Sequence, residues 1–121
     1  MQLSYAIIFV ADMERSVAFY SDVLGLPVRF ETPEWTEYAT EGATLALHKA
    51  DMPASVKAAS NPKSPGHCHP GISVADLNAL HSKLLNQGVT CVQEPKDLFG
   101  ARIAQYLDPD GLLISVSEVR E

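Results

Sequence analysis

The stretch "HCHPGISVAD", residues 67 to 76, gathers three side chains that bind metals: His67, Cys68 and His69. A divalent transition metal wants three or four such N, O or S donors. On a strand, alternate side chains share a face, so His67 and His69 should point one way and Cys68 the other. A second stretch, "TLALHKA", puts Thr44, Ala46 and His48 on one face of its own strand. His48, His67 and His69 are therefore one conceivable His-based set for a divalent transition metal with an open position. The plainer expectation is that no metal or other cofactor is bound and the histidines are hydrogen-bonded residues of a pocket wall.

Other chemistry finds less support. The sequence has no GxSxG elbow, no GxGxxG and no P-loop. Cys68 and Cys91 lack a nucleophile signature and form no disulfide framework, so both are expected to be small buried apolar residues on strands.

The elements that must position these residues come from an internal repeat. "VADMERSVAFYSDVLGLPVRF" begins at Val10 and "VADLNALHSKLLNQGVTCVQE" at Val74, 64 residues later. Such self-similarity marks a duplicated module. Asp12 and Asp76 are good N-caps, because a short carboxylate accepts from the free N–H groups of the first turn. Met13, Val17, Tyr20 and Leu24 give the first helix an apolar stripe, and Leu77, Leu80 and Leu84 the second. Gly25 and Gly88 suit the left-handed residue that closes a helix.

After the first helix, strands are expected at "PVRFE", "TEYAT" and "TLALHKA", with Trp35 in the loop signal "TPEW". After the second they are expected at "VTCVQE", "RIAQYL" and "LLISVSEV", with Asp108-Pro109-Asp110-Gly111 as the last turn. Residues 51–65, rich in Ala, Ser, Pro and Asn, read as a linker between module one (about 1–50) and module two (about 66–121) of one domain. One helix covers one face of a four-stranded sheet, so each βαβββ half has a bare face. Two halves can turn those faces together around a small-molecule cup.

Composition narrows the partners. The hydrophobic fraction of 46% and charged fraction of 20% are ordinary for a globular chain. A net charge of −6 without a basic cluster argues against nucleic acid or an anionic membrane as partner. The start, "MQLSYAIIFVAD", has no basic n-region and too short an apolar run to span a bilayer. A cytoplasmic location is expected.

The segments "VADMERSVAFYSDVLGLPV", "PGISVADLNALHSKLLNQGV" and "YLDPDGLLISV", in this order, resemble the vicinal oxygen chelate superfamily of glyoxalase I, bleomycin-resistance proteins and extradiol dioxygenases. The resemblance implies an α+β fold of paired βαβββ modules in an open, cup-like mixed sheet, as a homodimer. It also implies four metal-ligand places, usually His, Gln or Glu, from the first and fourth strands of each module. Carried over by position, they fall on Tyr5, Ala46, His69 and Ser115. Alanine cannot coordinate, and tyrosine and serine are poor substitutes, so the usual metal site is not expected.

The expected function is thus binding or sequestering a small organic compound in the cup. The alternative is a lyase, isomerase or dioxygenase-like enzyme, using the His set above or His69 and Tyr5 as acid and base. Tyr5 offers a phenol, His69 a general base or donor, and Trp35 a face for a flat ligand. Ile7, Phe9, Ala46, His48 and His67 are expected to line the cup with them. Arg102, next to Phe99 in "LFGARI", is a candidate anion clamp. Ser115 and Ser117 are polar contacts, and Gln105 and Tyr38 weaker ones. A cup filled by Ile7, Phe9 and Leu113, serving only association, is the third reading.

Overall fold

Two aspartates in the same Val-Ala-Asp context start the two helices of the described residues in the same way. Asp12 Oδ1 accepts from the Arg15 N–H at 3.1 Å, and Asp76 Oδ1 from the Ala79 N–H at 3.0 Å. Each carboxylate satisfies a donor that the helix itself leaves without a partner. The structure, a computed structural model, describes residues 1–50, 65–98 and 100–119.

The chain divides into two compact units, Met1–Val56 and Lys57–Glu121. The first contains β1 (Tyr5–Val10), α1 (Met13–Val17), β2 (Val28–Glu31), β3 (Trp35–Tyr38) and β4 (Thr44–Lys49). The second contains β5 (Gly71–Val74), α2 (Leu77–Asn86), β6 (Cys91–Leu98), β7 (Ala101–Leu107) and β8 (Leu113–Glu118). Their four-stranded sheets share one topology, β1-β4-β3-β2 and β5-β8-β7-β6. In each, the first and last strands pair in parallel and the remaining pairs are antiparallel. This is the expected α+β fold of paired βαβββ modules.

Each unit buries the sheet face under its helix. In the first, Ile8, Val10, Thr36, Tyr38, Leu45 and Leu47 are buried with Met13, Phe19 and Tyr20. In the second, Ala104, Tyr106, Ile114 and Val116 are buried with Leu77 and Leu84. Removing such a leucine from water contributes about 1.5–3 kcal/mol. The first helix departs from regular periodicity, because α1 runs into a π-helical turn over Ala18–Val23. The wider turn brings both Phe19 and Tyr20 inward, whereas Val17 and Leu24 are only half-buried. Gly25 and Gly88, with φ of 93° and 78°, take the left-handed conformation after each helix.

Three expectations are corrected. β5 begins at Gly71, so His67, Cys68 and His69 precede the strand instead of forming it. Pro70 has no N–H to give a ladder, although its carbonyl still accepts from the Ser115 N–H at 3.0 Å. Cys68 is exposed and Cys91 half-buried, so neither is a core residue. Trp35 is the first residue of β3, not a loop residue: Thr32 Oγ1 accepts from the N–H groups of Glu34 and Trp35, so the turn ends there. Of the linker 51–65, residues 51–64 lie outside the described residues. Among the described residues, no helix is long and apolar enough to cross a membrane.

Candidate functional site

Pairing and strand alternation decide which side chains can meet. In the first module Tyr5 pairs with Thr44, Ile7 with Ala46 and Phe9 with His48, while Trp35 and Glu37 of β3 pair with His48 and Ala46. All of these point away from α1, on the open face of the sheet. Tyr5, Ile7 and Phe9 are 54%, 39% and 65% exposed, and Ala46 is buried.

This face carries a row of rings. Tyr5 meets Trp35 at 6.4 Å and 80°, Trp35 meets His48 at 5.9 Å and 87°, and Phe9 lies 5.5 Å from His48. The first two are edge-to-face arrangements. His48 Nδ1 lies 2.7 Å from the Lys49 carbonyl, which an N–H must donate to, so the proton sits on Nδ1. Beside the row, Arg29 Nη2 donates to Thr44 Oγ1 at 2.7 Å and to Glu37 Oε1 at 3.3 Å. Neither Arg29 nor Glu37 was singled out from the sequence. A register irregularity between Val28 and Phe30 hides the orientation of Arg29 from simple alternation. The pairing of Glu37 with Ala46 was the available signal for the carboxylate.

The open face of the second module is polar. His69 Nε2 lies 3.1 Å from Ser115 Oγ, and Gln105 Nε2 donates to the same oxygen at 3.3 Å. Ser115 Oγ thus accepts from Gln105 and also meets His69, joining amide, hydroxyl and imidazole in one set. Ser73 and Ser117 share a 3.3 Å hydrogen bond further along the same face.

The two faces correspond station by station. Ile7 pairs with Ala46 as Gly71 pairs with Ser115, and Glu37 pairs with Ala46 as Gln105 pairs with Ser115. Tyr5 and His69 each lie two residues before the first member of such a pair.

Other candidates do not join these groups. Arg102 lies on the helix-facing side of β7 and donates to Asn78 Oδ1 of α2 at 2.8 Å. Tyr38 is buried beneath the first helix, where its hydroxyl accepts from Ser21 Oγ at 3.2 Å. His67 is exposed, ahead of β5. Phe99 lies outside the described residues. Burial raises the Cys91 thiol pKa, which opposes a thiolate nucleophile there. An open hollow of about 740 Å³ borders Asp12, Glu14, Glu31 and Lys49, and no predicted site residue lines it.

A divalent metal does not fit the four carried-over places. Ala46 has no donor atom, Tyr5 and Ser115 offer neutral hydroxyls, and Nε2 of His69 is engaged by Ser115. Among the described residues, no group of three or more His, Cys, Asp or Glu side chains is placed to hold a metal ion. Of the three histidines considered above, His48 belongs to the first unit and His67 and His69 to the second.

Comparison with known proteins is consistent with this architecture. The family model of the Glyoxalase/Bleomycin resistance protein/Dioxygenase superfamily matches residues 2–116. The chain is 30% identical over 125 residues to the Bacillus subtilis protein YraH, covering 96% of this chain and 97% of that one. It is 29% identical over 126 residues to a lactoylglutathione lyase of Haemophilus influenzae, covering 98% and 93%. A glyoxalase/bleomycin resistance protein/dioxygenase family enzyme from Burkholderia phytofirmans superposes with a TM-score of 0.78 at 20% identity, over 99% of this chain and 100% of that one. That likeness speaks for the fold alone. With the family model spanning almost its whole length, this chain belongs to the Glyoxalase/Bleomycin resistance protein/Dioxygenase superfamily.

Proposed function

We propose that this member of the superfamily binds or sequesters a small organic compound on its open sheet faces, and does so without the usual divalent metal. One observation carries the reading: the station held by Ser115 in one module is Ala46 in the other, which has no donor atom. What those faces do offer is suited to organic ligands. One presents rings, the other a connected set of hydroxyl, amide and imidazole groups. The proposal includes a homodimer acting in the cytoplasm, with neither nucleic acid nor membrane as partner.

Two measurements test it together. Protein purified without chelator is expected to hold far less than one equivalent of transition metal. A thermal-shift screen of flat aromatics, thiol conjugates and antibiotics is expected to give a hit. A ligand at a hundredfold excess over Kd stabilises by about 2.7 kcal/mol. A stoichiometric metal lost on His69→Ala overturns the metal-free reading, and a screen without hits overturns ligand binding. Sedimentation should give twice the mass of the chain, and a monomer rejects the dimer.

The lactoylglutathione lyase relative favours a second reading, an enzyme with His69 and Tyr5 as acid and base. Formation of lactoylglutathione by the purified protein, abolished by His69→Ala, would establish it.

A further inference from the structure

We infer that the open face of the first module selects a flat aromatic molecule bearing an acidic group, its ring against Trp35 and Tyr5 and its acid on Arg29. The inference rests on the small-molecule reading above and names the ligand class.

The ring surface comes first. Neither Tyr5 nor His48 stacks parallel on Trp35, because both meet it near right angles, at 80° and 87°. Tyr5, at 54%, keeps much of its area in solvent. Exposed rings on a rigid β-sheet make a surface that favours a flat, polarisable partner over a bulky aliphatic one.

The charge comes next. Arg29 reaches the same corner of the sheet as Tyr5, since Thr44, which accepts from its Nη2, is the strand partner of Tyr5. Both hydrogen bonds of the guanidinium described above use Nη2, so Nη1 and Nε remain for a ligand, and the side chain is 50% exposed. The positive charge, with Nη1 and Nε each free to donate singly, suits a carboxylate or phenolate. Glu37 holds the fork on the face, but it is 29% exposed and its Oε1 faces Arg29, so the charge left outermost is positive. In the second module the equivalent of Glu37 is the neutral Gln105, so this charged corner is particular to the first.

The test uses Trp35, the single tryptophan of the chain, whose indole N–H gives one resonance in a nitrogen-15 correlation spectrum. The probes are 2-naphthoate, the neutral 2-naphthylmethanol and the non-planar cyclohexanecarboxylate. Naphthoate is expected to shift the indole resonance saturably and to bind at least tenfold tighter than either other probe. Arg29→Gln should weaken naphthoate at least tenfold and leave 2-naphthylmethanol within twofold. Equal weakening of acid and alcohol, tighter binding of the cyclohexane acid, or no naphthoate binding overturns the inference. So does naphthoate binding that leaves the indole resonance unmoved and shifts the His69 and Gln105 signals instead. That last result keeps small-molecule binding while rejecting this site, whereas an empty thermal-shift screen rejects the broader reading.

Discussion

Tyr5 and His69 occupy the same station in two equivalent sheets, each two residues ahead of the strand residue that pairs with Ala46 or Ser115. One module thus carries a phenol and a methyl group at the stations where the other has an imidazole hydrogen-bonded to a hydroxyl. On the metal-free reading proposed above, removing metal should not change stability. EDTA treatment, or added Mn, Ni or Zn ions, is expected to move Tm by less than about 1 °C, read by differential scanning calorimetry. An ion at a hundred times its Kd would contribute about 2.7 kcal/mol, several degrees for a domain of this size.

Ser115 receives Gln105 and contacts His69 through one oxygen. Ser115→Ala removes both hydrogen bonds on a half-exposed face, where each contributes about 0.5–1.5 kcal/mol. A loss of about 1–2 kcal/mol in urea unfolding is expected. The His69 ring signals should also change in NMR, since the hydrogen-bond partner of its Nε2 has gone.

The N-cap of α2 gives a local test. Asp76→Ala leaves the Ala79 N–H without its carboxylate and is expected to cost about 1 kcal/mol in urea unfolding. Asp76→Asn should recover most of it, because an amide oxygen still accepts. Glu118 Oε2 accepts from the Leu77 N–H at 3.0 Å, so Glu118→Ala combined with Asp76→Ala frays the same helix start. Their effects are therefore not expected to add simply.

What the sequence revealed and what it hid follow from alternation. The repeat placed Asp12 and Asp76, and the Asp108–Gly111 turn fixed the phase of β8, so the face carrying Ser115 was legible. Asp108 Oδ1 accepts from the N–H groups of Asp110 and Leu112, which explains why that turn holds its register. Arg102 and Gln105 were both placed in the cup, yet they stand an odd number apart on β7 and so face opposite ways. Alternation alone would have removed one of them. Arg29 was hidden because an irregular pairing breaks the period there, and no single-residue pattern announces a bulge. Phe19 was missed from the first helix for a similar reason, since a π turn breaks the 3.6-residue rhythm.

Tyr106 supplies a pH dependence. It is 1% exposed, its hydroxyl lies 2.8 Å from His81 Nδ1, and burial pushes its pKa up to about 12. Its equivalent Tyr38, also buried, is shifted upward for the same reason. A tyrosine whose pKa is higher folded than unfolded holds its proton more tightly in the folded state. The contribution is fully present below the unfolded value near pH 10 and is lost as pH climbs from about 10 to about 12. The two-unit difference for Tyr106 corresponds to on the order of 2–3 kcal/mol across that window. Urea midpoints should therefore fall steeply above pH 10, in step with the tyrosinate absorbance of the unfolded chain. Tyr106→Phe has no proton to lose, so its curve should be flatter over that range, even if lower at neutral pH for want of the His81 hydrogen bond. Parallel curves for Tyr106→Phe and the unaltered protein would show that this phenol is not what the alkaline loss reports.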